Sequence, residues 1–223
     1  MTNDPTRRHR RLLIHVRSLD LRLWLTWLAA TTLGWAAGLL GYRVLADAFY
    51  FAGWLKTLDG IGFCIALLQA LVLRRYLDHA AWWLVVSGSC GVVAVYLRAL
   101  VIVTVLTTTG NQVAFVATDA LTALGTGILI GVLQWLVLRR QLARAQWWIP
   151  VSGLGVLVGA VTGDVVGFVV VIYVLNLGVD PNAFVVVSGL VSAPIYGAIT
   201  GYALVRLLQP RAPGSEGNPS ATR

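Results

Sequence analysis

The sequence QALVLRR at residues 69–75 is followed by the pair WW at 82–83, and a second copy, QWLVLRR at 134–140, is followed by WW at 147–148. The two copies are offset by 65 residues throughout, so we interpret the pattern as an internal repeat. Each copy is typical of an apolar helix that ends at a basic, tryptophan-flanked turn before another apolar helix begins. The repeat therefore predicts helical hairpins whose basic turns lie at one face of a membrane.

Composition supports a membrane protein. Hydrophobic residues make up 58% of the 223 residues and charged residues only 12%, far from the composition of soluble domains. Apolar runs long enough to cross a bilayer recur along the chain. The net charge of +8 comes from basic residues at predicted helix ends, where membrane orientation explains them better than nucleic-acid binding. No nucleic-acid partner is expected.

These features predict an all-α fold: a polytopic transmembrane bundle of six helices, built as three tandem helical hairpins. The predicted domains are a basic cytoplasmic or interfacial segment at 1–22, the transmembrane domain at 23–208 and a disordered cytoplasmic tail at 209–223. The six spans are expected near 23–46, 54–76, 81–107, 113–138, 147–175 and 183–208.

The charges of the turns predict the orientation. The N-terminal segment and the turns at Arg74 and Arg139 are basic, whereas those near Asp47, Asn111 and Asp180 are acidic or neutral. The positive-inside rule then places both termini in the cytoplasm, in a multi-pass protein. The six arginines within residues 1–22 predict contact with the lipids of an anionic leaflet, either as an interfacial helix or as a plain positive-inside anchor.

A polar pair accompanies each copy of the repeat. Gln134 and Ser152 are both expected roughly 6–8 Å inside the cytoplasmic interface, and Gln69 and Ser87 repeat that arrangement. A glutamine in hydrocarbon needs a partner, and a facing serine or a backbone carbonyl would supply one. We interpret these four residues as interhelical polar contacts. A polar path from the cytoplasm is the alternative.

Glycines recur at every fourth position of the fifth span: Gly155, Gly159, Gly163 and Gly167. One face of that helix therefore lacks side chains, which favours close packing against a neighbouring helix. A flat groove for a rigid lipid or pigment is the other interpretation.

Four charged residues are expected at one depth. Arg43, Asp59, Arg98 and Asp164 fall at about 22–24 Å from the cytoplasmic interface, in the outer third of the hydrocarbon core. Charges at such a depth are expected to pair, and an Arg98–Asp164 ion pair between the third and fifth spans is a specific hypothesis. The four residues form either a structural ion-pair layer or a ligand-binding site open to the outer face.

Catalytic and cofactor signatures are missing from the sequence. His9, His15 and His79 are all expected outside the hydrocarbon, so no buried histidine pair is available for haem or for a serine nucleophile. Cys64 and Cys90 have no metal-ligand spacing. We predict no enzyme activity, no cofactor and no metal site.

The repeated pattern resembles a group of small bacterial polytopic membrane proteins that share it, uncharacterised in function; the resemblance is good over residues 62–91 and 127–155. It implies a bacterial inner-membrane location and no catalytic or binding residue. The leading hypothesis is a non-enzymatic, structural or partner-binding membrane protein, with a protein partner or a homo-oligomer. The alternative is a small transporter or ligand-binding component with a polar site in the outer third. A third interpretation is pigment or quinone association. A cavity that reaches the charged residues would favour ligand binding.

Overall fold

The computed structural model describes residues 5–46, 53–78, 80–109, 112–175 and 181–209. For some helical residues, among them 5–19 and 92–96, it describes the backbone only. Within these ranges the chain is helical and contains no strand. The helices are α1 (Pro5–Ala46), α2 (Gly53–Leu73), α3 (Ala80–Thr109), α4 (Gln112–Leu138), α5 (Trp148–Val169) and α6 (Pro181–Leu208). A single 3-10 turn, Ala145–Trp147, leads into α5, and a π-helical turn, Val170–Val174, follows it.

The predicted all-α bundle is confirmed, with six helices in the described part of the chain. Four segments of the described chain are long and apolar enough to cross a membrane, and α2 contributes a shorter apolar stretch, Gly60–Leu73. The four segments are Asp20–Gly41, Val116–Leu138, Ala145–Val174 and Ala183–Leu208.

The helix at the N-terminus is longer than the predicted first span. α1 begins at Pro5 and continues without interruption to Ala46, so the helix crosses the predicted boundary at residue 22. At the other end of the chain, the Gln209 amide donates to the Asp20 carboxylate at 2.9 Å. The remainder of the predicted tail, residues 210–223, lies outside the described residues.

The six helices form a closed ring. Each helix packs against the helices before and after it in the chain, and α6 packs against α1. Neighbours run antiparallel: Gly34 and Gly38 of α1, for example, lie against Ile65 and Ile61 of α2. Ring closure in chain order gives the three tandem hairpins α1–α2, α3–α4 and α5–α6.

Glycine allows neighbouring backbones to approach closely. A Cβ atom at Gly34 would lie 2.6 Å from the Cα of Ile65, and one at Gly127 would lie 2.7 Å from the carbonyl oxygen of Ser152. The glycine ladder of α5 packs against α6, where Gly159 faces the carbonyl of Ser192. The ladder is therefore a helix–helix contact rather than a groove at the surface.

Two turns meet at one end of the ring, which we call the basic end. They are the turns that contain Arg74–Arg75 and Arg139–Arg140. The backbone N–H of Asp78 in the first turn donates to the side-chain oxygen of Gln141 in the second at 3.3 Å. Arg139 also lies over the ring of Trp135, 5.0 Å from its centroid.

The apolar core is concentrated near the basic end and centres on three tryptophans, Trp27, Trp83 and Trp148, which we call the tryptophan cluster. All three side chains have 0% exposure. Their ring centroids lie 5.6–6.0 Å apart and the rings meet edge to face, at 71–84°. Such aromatic pairs each add about 0.5–1.5 kcal/mol beyond the burial of their area. The cluster closes the centre of the ring at this end.

Replacing Gly34 by alanine is expected to lower stability, because the new methyl group would overlap the backbone of α2. Overpacking of this kind costs about 1–3 kcal/mol. Gly41 is the matched control on the same helix, since a Cβ there meets nothing within 4 Å. The apparent melting temperature in detergent should fall for Gly34→Ala and stay level or rise for Gly41→Ala. Equal melting temperatures would contradict the close α1–α2 contact.

Adjacent tryptophans should respond differently to the same substitution. Trp83 has 0% exposure and belongs to the tryptophan cluster, whereas Trp82 is 58% exposed. Trp83→Phe leaves a void at the centre of the ring and should destabilise the protein by about 1–3 kcal/mol. Trp82→Phe should leave the melting temperature nearly unchanged. A larger loss for Trp82→Phe would argue against the inward orientation of Trp83.

Candidate functional site

Each member of the tryptophan cluster donates its indole N–H to a side chain of a neighbouring helix. The acceptors of Trp83 and Trp148 are glutamines that lie 14 residues earlier in the chain, on α2 and α4. Such pairing is required because a buried N–H without an acceptor costs about 1–3 kcal/mol. The three bonds are Trp27 to Thr200 (3.0 Å), Trp83 to Gln69 (3.3 Å) and Trp148 to Gln134 (2.7 Å).

The same two glutamines also donate to hydroxyl groups. Gln69 Nε2 donates to Thr31 Oγ1 at 3.0 Å, and Gln134 Nε2 donates to Ser87 Oγ at 2.9 Å. Both hydroxyls stand four residues after a member of the tryptophan cluster. Each glutamine therefore links the first helix of its own hairpin to the tryptophan of the next hairpin.

The third hairpin has no such glutamine. Thr200 of α6 accepts the indole N–H of Trp27, and its hydroxyl donates to the carbonyl of Tyr196 at 2.7 Å. Ser152 of α5 follows its tryptophan by four residues, as Ser87 does, yet its buried hydroxyl has no hydrogen-bond partner among the described residues. The phenol of Tyr196 on α6 lies near this hydroxyl. Thr200 is shorter than glutamine, and it makes no hydrogen bond to Ser152.

The pairing thus differs from the arrangement suggested by the sequence. The sequence favours a facing serine or a backbone carbonyl as the partner of each glutamine, with Gln134 grouped with Ser152 and Gln69 with Ser87. Instead, the structure brings Gln134 together with Ser87, and Gln69 together with Thr31. Ser152 makes no interhelical hydrogen bond in the described part of the chain.

A chamber of about 520 Å³ lies at the centre of the ring. At its end near the tryptophan cluster it is lined by the neutral polar side chains Thr31, Gln69, Ser87 and Gln134. From there the lining extends away from the basic end, past small and apolar residues, to Asp164 on α5. This residue follows Trp148 by 16 positions, which corresponds to about 24 Å along the helix.

One wall of the chamber, the α5–α6 wall, carries a hydrogen-bonded polar group. We define this wall by Asp164, Ser188 and Ser192, all of which line the chamber. Ser188 Oγ donates to Asp164 Oδ1 at 2.6 Å. Ser192 Oγ shares its proton between the carbonyl of Gly159 and that of Ser188, at 2.8 Å each. Gly159 and Gly163 make this approach of α6 possible.

Of the four residues of the predicted charged layer, Asp164 is described, and it lines the chamber. Arg43, Asp59 and Arg98 belong to α1, α2 and α3, and their side chains lie outside the described residues. The Arg98–Asp164 ion pair therefore stays a prediction. Within the described part of the chain, no group of three or more His, Cys, Asp or Glu side chains is arranged to hold a metal ion.

Sequence reasoning missed the tryptophan N–H groups as partners of the glutamines. The signal was present, because the 14-residue spacing from glutamine to tryptophan is the same in both copies of the repeat. It also missed Tyr196 and Trp35, which line the chamber from α6 and α1. Neither residue belongs to a pattern that repeats in the sequence.

Comparison of the chain with protein-family models, with curated proteins and with solved structures gave no match.

Two serines at matching positions should respond in opposite ways to alanine. Ser87→Ala leaves the amide of Gln134 without its acceptor and is expected to destabilise the protein by about 1–2 kcal/mol. Ser152→Ala removes a buried hydroxyl that has no partner, so stability should stay level or rise. Thermal unfolding of both variants in one detergent measures the difference. A greater loss for Ser152→Ala would show that its hydroxyl is bonded.

Proposed function

We propose that this chain is a non-enzymatic integral membrane protein that holds a small, largely apolar molecule in the chamber at the centre of its helix ring. Of the hypotheses drawn from the sequence, this proposal follows the ligand-binding alternative and not the structural, partner-binding one. The observation that carries the proposal is the chamber itself, which reaches from Gln69 and Gln134 to Asp164.

The size and lining of the chamber fit a ligand. Its volume of about 520 Å³ falls within the range of small-molecule sites, roughly 300–1,000 Å³. Such sites are mostly apolar with a few placed polar groups, as this one is. A protein whose role was only structural would gain stability by filling this space, since voids in a core are costly.

The chamber also has a closed end. The tryptophan cluster blocks the ring near the basic end, and its side chains are fixed by mutual contacts and hydrogen bonds. This arrangement favours a binding chamber over a continuous path across the membrane. It does not favour the proposed polar path from the cytoplasm through the glutamines.

We further propose that the three hairpins are copies of one unit, that the protein resides in a bacterial inner membrane, and that the basic end faces the cytoplasm. The recurring glutamine–hydroxyl and tryptophan bonds support the first proposal. The two basic turns at one end of the ring support the orientation, because positively charged loops remain on the cytoplasmic side. Both termini would then be cytoplasmic, with anionic lipids near the N-terminal arginines.

Filling the chamber tests the proposed function. Ala193 and Thr126 line the chamber from α6 and α4, so Ala193→Phe and Thr126→Phe each place a ring in the space. Ala29 is exposed on the outside of α1, and Ala29→Phe is the matched control. Native mass spectrometry of gently extracted protein should detect a co-purifying small molecule on the wild type and on Ala29→Phe. Both chamber variants should lose it.

Two variants on different helices are used because a folding defect in one of them would not affect the other. Their melting temperatures and elution profiles, measured alongside, identify a variant that is misfolded. Retention of the molecule by folded chamber variants would refute the proposal. A wild-type protein without any bound molecule would favour the structural, partner-binding hypothesis instead.

A further inference from the structure

The two turns of the basic end have the same backbone course. α2 and α4 end at Leu73 and Leu138, both fully buried, and each leucine is followed by two arginines. In each turn the carbonyl of that leucine accepts the N–H groups of the residues three and four positions later, at 2.8–3.0 Å. The buried leucines thereby fix both turns, and the two arginine pairs, 74–75 and 139–140, occupy equivalent, exposed positions.

These turns carry an excess of positive charge. Their arginines are exposed, and none of them forms an ion pair with a residue of the described part of the chain. We call these residues the arginine patch: Arg74, Arg75, Arg139, Arg140 and Arg144. Asp78 is the one carboxylate in the two turns, 74–79 and 139–147. Like charges held this close repel one another, so an anion bound among them would be favoured.

Both turns contribute to the arginine patch at close range. The hydrogen bond from the backbone N–H of Asp78 to the side chain of Gln141, at 3.3 Å, joins the two turns directly. Asp78 is three residues after Arg75, and Gln141 is the residue after Arg140. One ligand at this end of the ring can therefore be contacted by guanidinium groups of both turns.

The arginine patch lies at the depth of lipid head groups. Trp82 and Trp147, near the starts of the helices that follow the two turns, are 58% and 62% exposed. Exposed tryptophans of membrane proteins concentrate at the interface between hydrocarbon and water. Arg144 precedes Trp147 by three residues. The anionic group available at this depth is the phosphate of a phospholipid, which guanidinium groups bind through paired hydrogen bonds.

We infer that the two turns bind the head group of an anionic phospholipid with two phosphates, one held by each arginine pair. A lipid with one phosphate would neutralise one pair and leave the other without an anion. When two phosphates share one head group, the second binds at a high effective concentration and adds affinity. The site lies on the other side of the tryptophan cluster from the chamber, so the inference does not rest on the proposed chamber ligand.

The arginines also have simpler roles, as positive-inside determinants and as cations at the C-termini of α2 and α4. Either role affects the orientation or the stability of the protein without any bound lipid. Neither predicts a preference for two linked phosphates over the same number of separate ones. Lipid affinity, and not baseline stability, is therefore the quantity to measure.

The full-length protein in an uncharged maltoside detergent is titrated with tetraoleoyl cardiolipin, dioleoyl phosphatidylglycerol, dioleoyl phosphatidylcholine or inorganic phosphate. The rise in melting temperature with probe concentration gives the apparent Kd, and native mass spectrometry counts the bound lipids. Cardiolipin, with two phosphates on one head group, should bind at least about 10-fold more tightly than phosphatidylglycerol at equal phosphate concentration. Phosphatidylcholine, which has no net charge, and inorganic phosphate, which has no acyl chains, should bind more weakly than either.

Removing either arginine pair should remove the preference for cardiolipin. Arg74→Gln/Arg75→Gln and Arg139→Gln/Arg140→Gln each leave a single pair, so each should bind cardiolipin about as tightly as phosphatidylglycerol. A variant in each turn keeps the test decisive if one of them fails to fold, which its elution profile would reveal.

The matched control is Arg22→Gln/Arg206→Gln. It removes the same number of charges from exposed positions of α1 and α6. Arg206 bonds to the hydroxyl of Tyr202 and lies outside the two turns. This control variant should keep the preference for cardiolipin.

The outcomes separate a built site from a diffuse positive surface. If cardiolipin and phosphatidylglycerol bind equally at equal phosphate, or if the control lowers the affinity as much as the turn variants do, the inference is overturned. Binding of inorganic phosphate as tight as that of cardiolipin overturns the assignment to a lipid. Ala193→Phe, which fills the chamber, should bind cardiolipin as the wild type does; loss of binding there would place the lipid in the chamber and overturn the inference.

Discussion

The structure depends on the pairing of three indole N–H groups in a place where water is not available to bond them. Trp27, Trp83 and Trp148 fill the centre of the ring, and each N–H must find a side-chain oxygen on a neighbouring helix. Each of these bonds joins one hairpin to another. Because the rings also contact one another edge to face, a change in the rotation of one odd-numbered helix would disturb all three hairpins.

The central chamber follows from the way the ring is packed. Glycines bring neighbouring backbones close together around the circumference, as at Gly34 and Gly127. A ring of six helices nevertheless encloses more space than ordinary side chains fill. Near the basic end the largest side chains occupy that space. Beyond them most inward positions carry small or aliphatic residues, with a few aromatic ones such as Trp35 and Tyr196, and the chamber remains between the helices.

The number and type of the helices were predictable, because apolar runs and basic turns are local properties of the sequence. Helical rise also places Gln69 and Gln134 about 7.5 Å, or five residues, before the basic turns. The hydrogen-bond partners of these two glutamines were not predictable, because the depth of a side chain does not decide which of two neighbouring helices it faces. In the pairs Trp82–Trp83 and Trp147–Trp148 the second ring points inward and the first outward, a choice set by helix rotation. The chamber has no local signature, since its lining comes from all six helices.

The bond between Trp27 and Thr200 joins residues 173 positions apart and closes the ring. During synthesis α1 emerges long before α6, since chains are made from the N-terminus. Throughout the insertion of the intervening helices, this indole has neither its final acceptor nor the contact of Trp24 with the carbonyl of Ala198. Closure of the ring between α1 and α6 therefore requires the last of the six helices, which supplies the acceptors of both indoles.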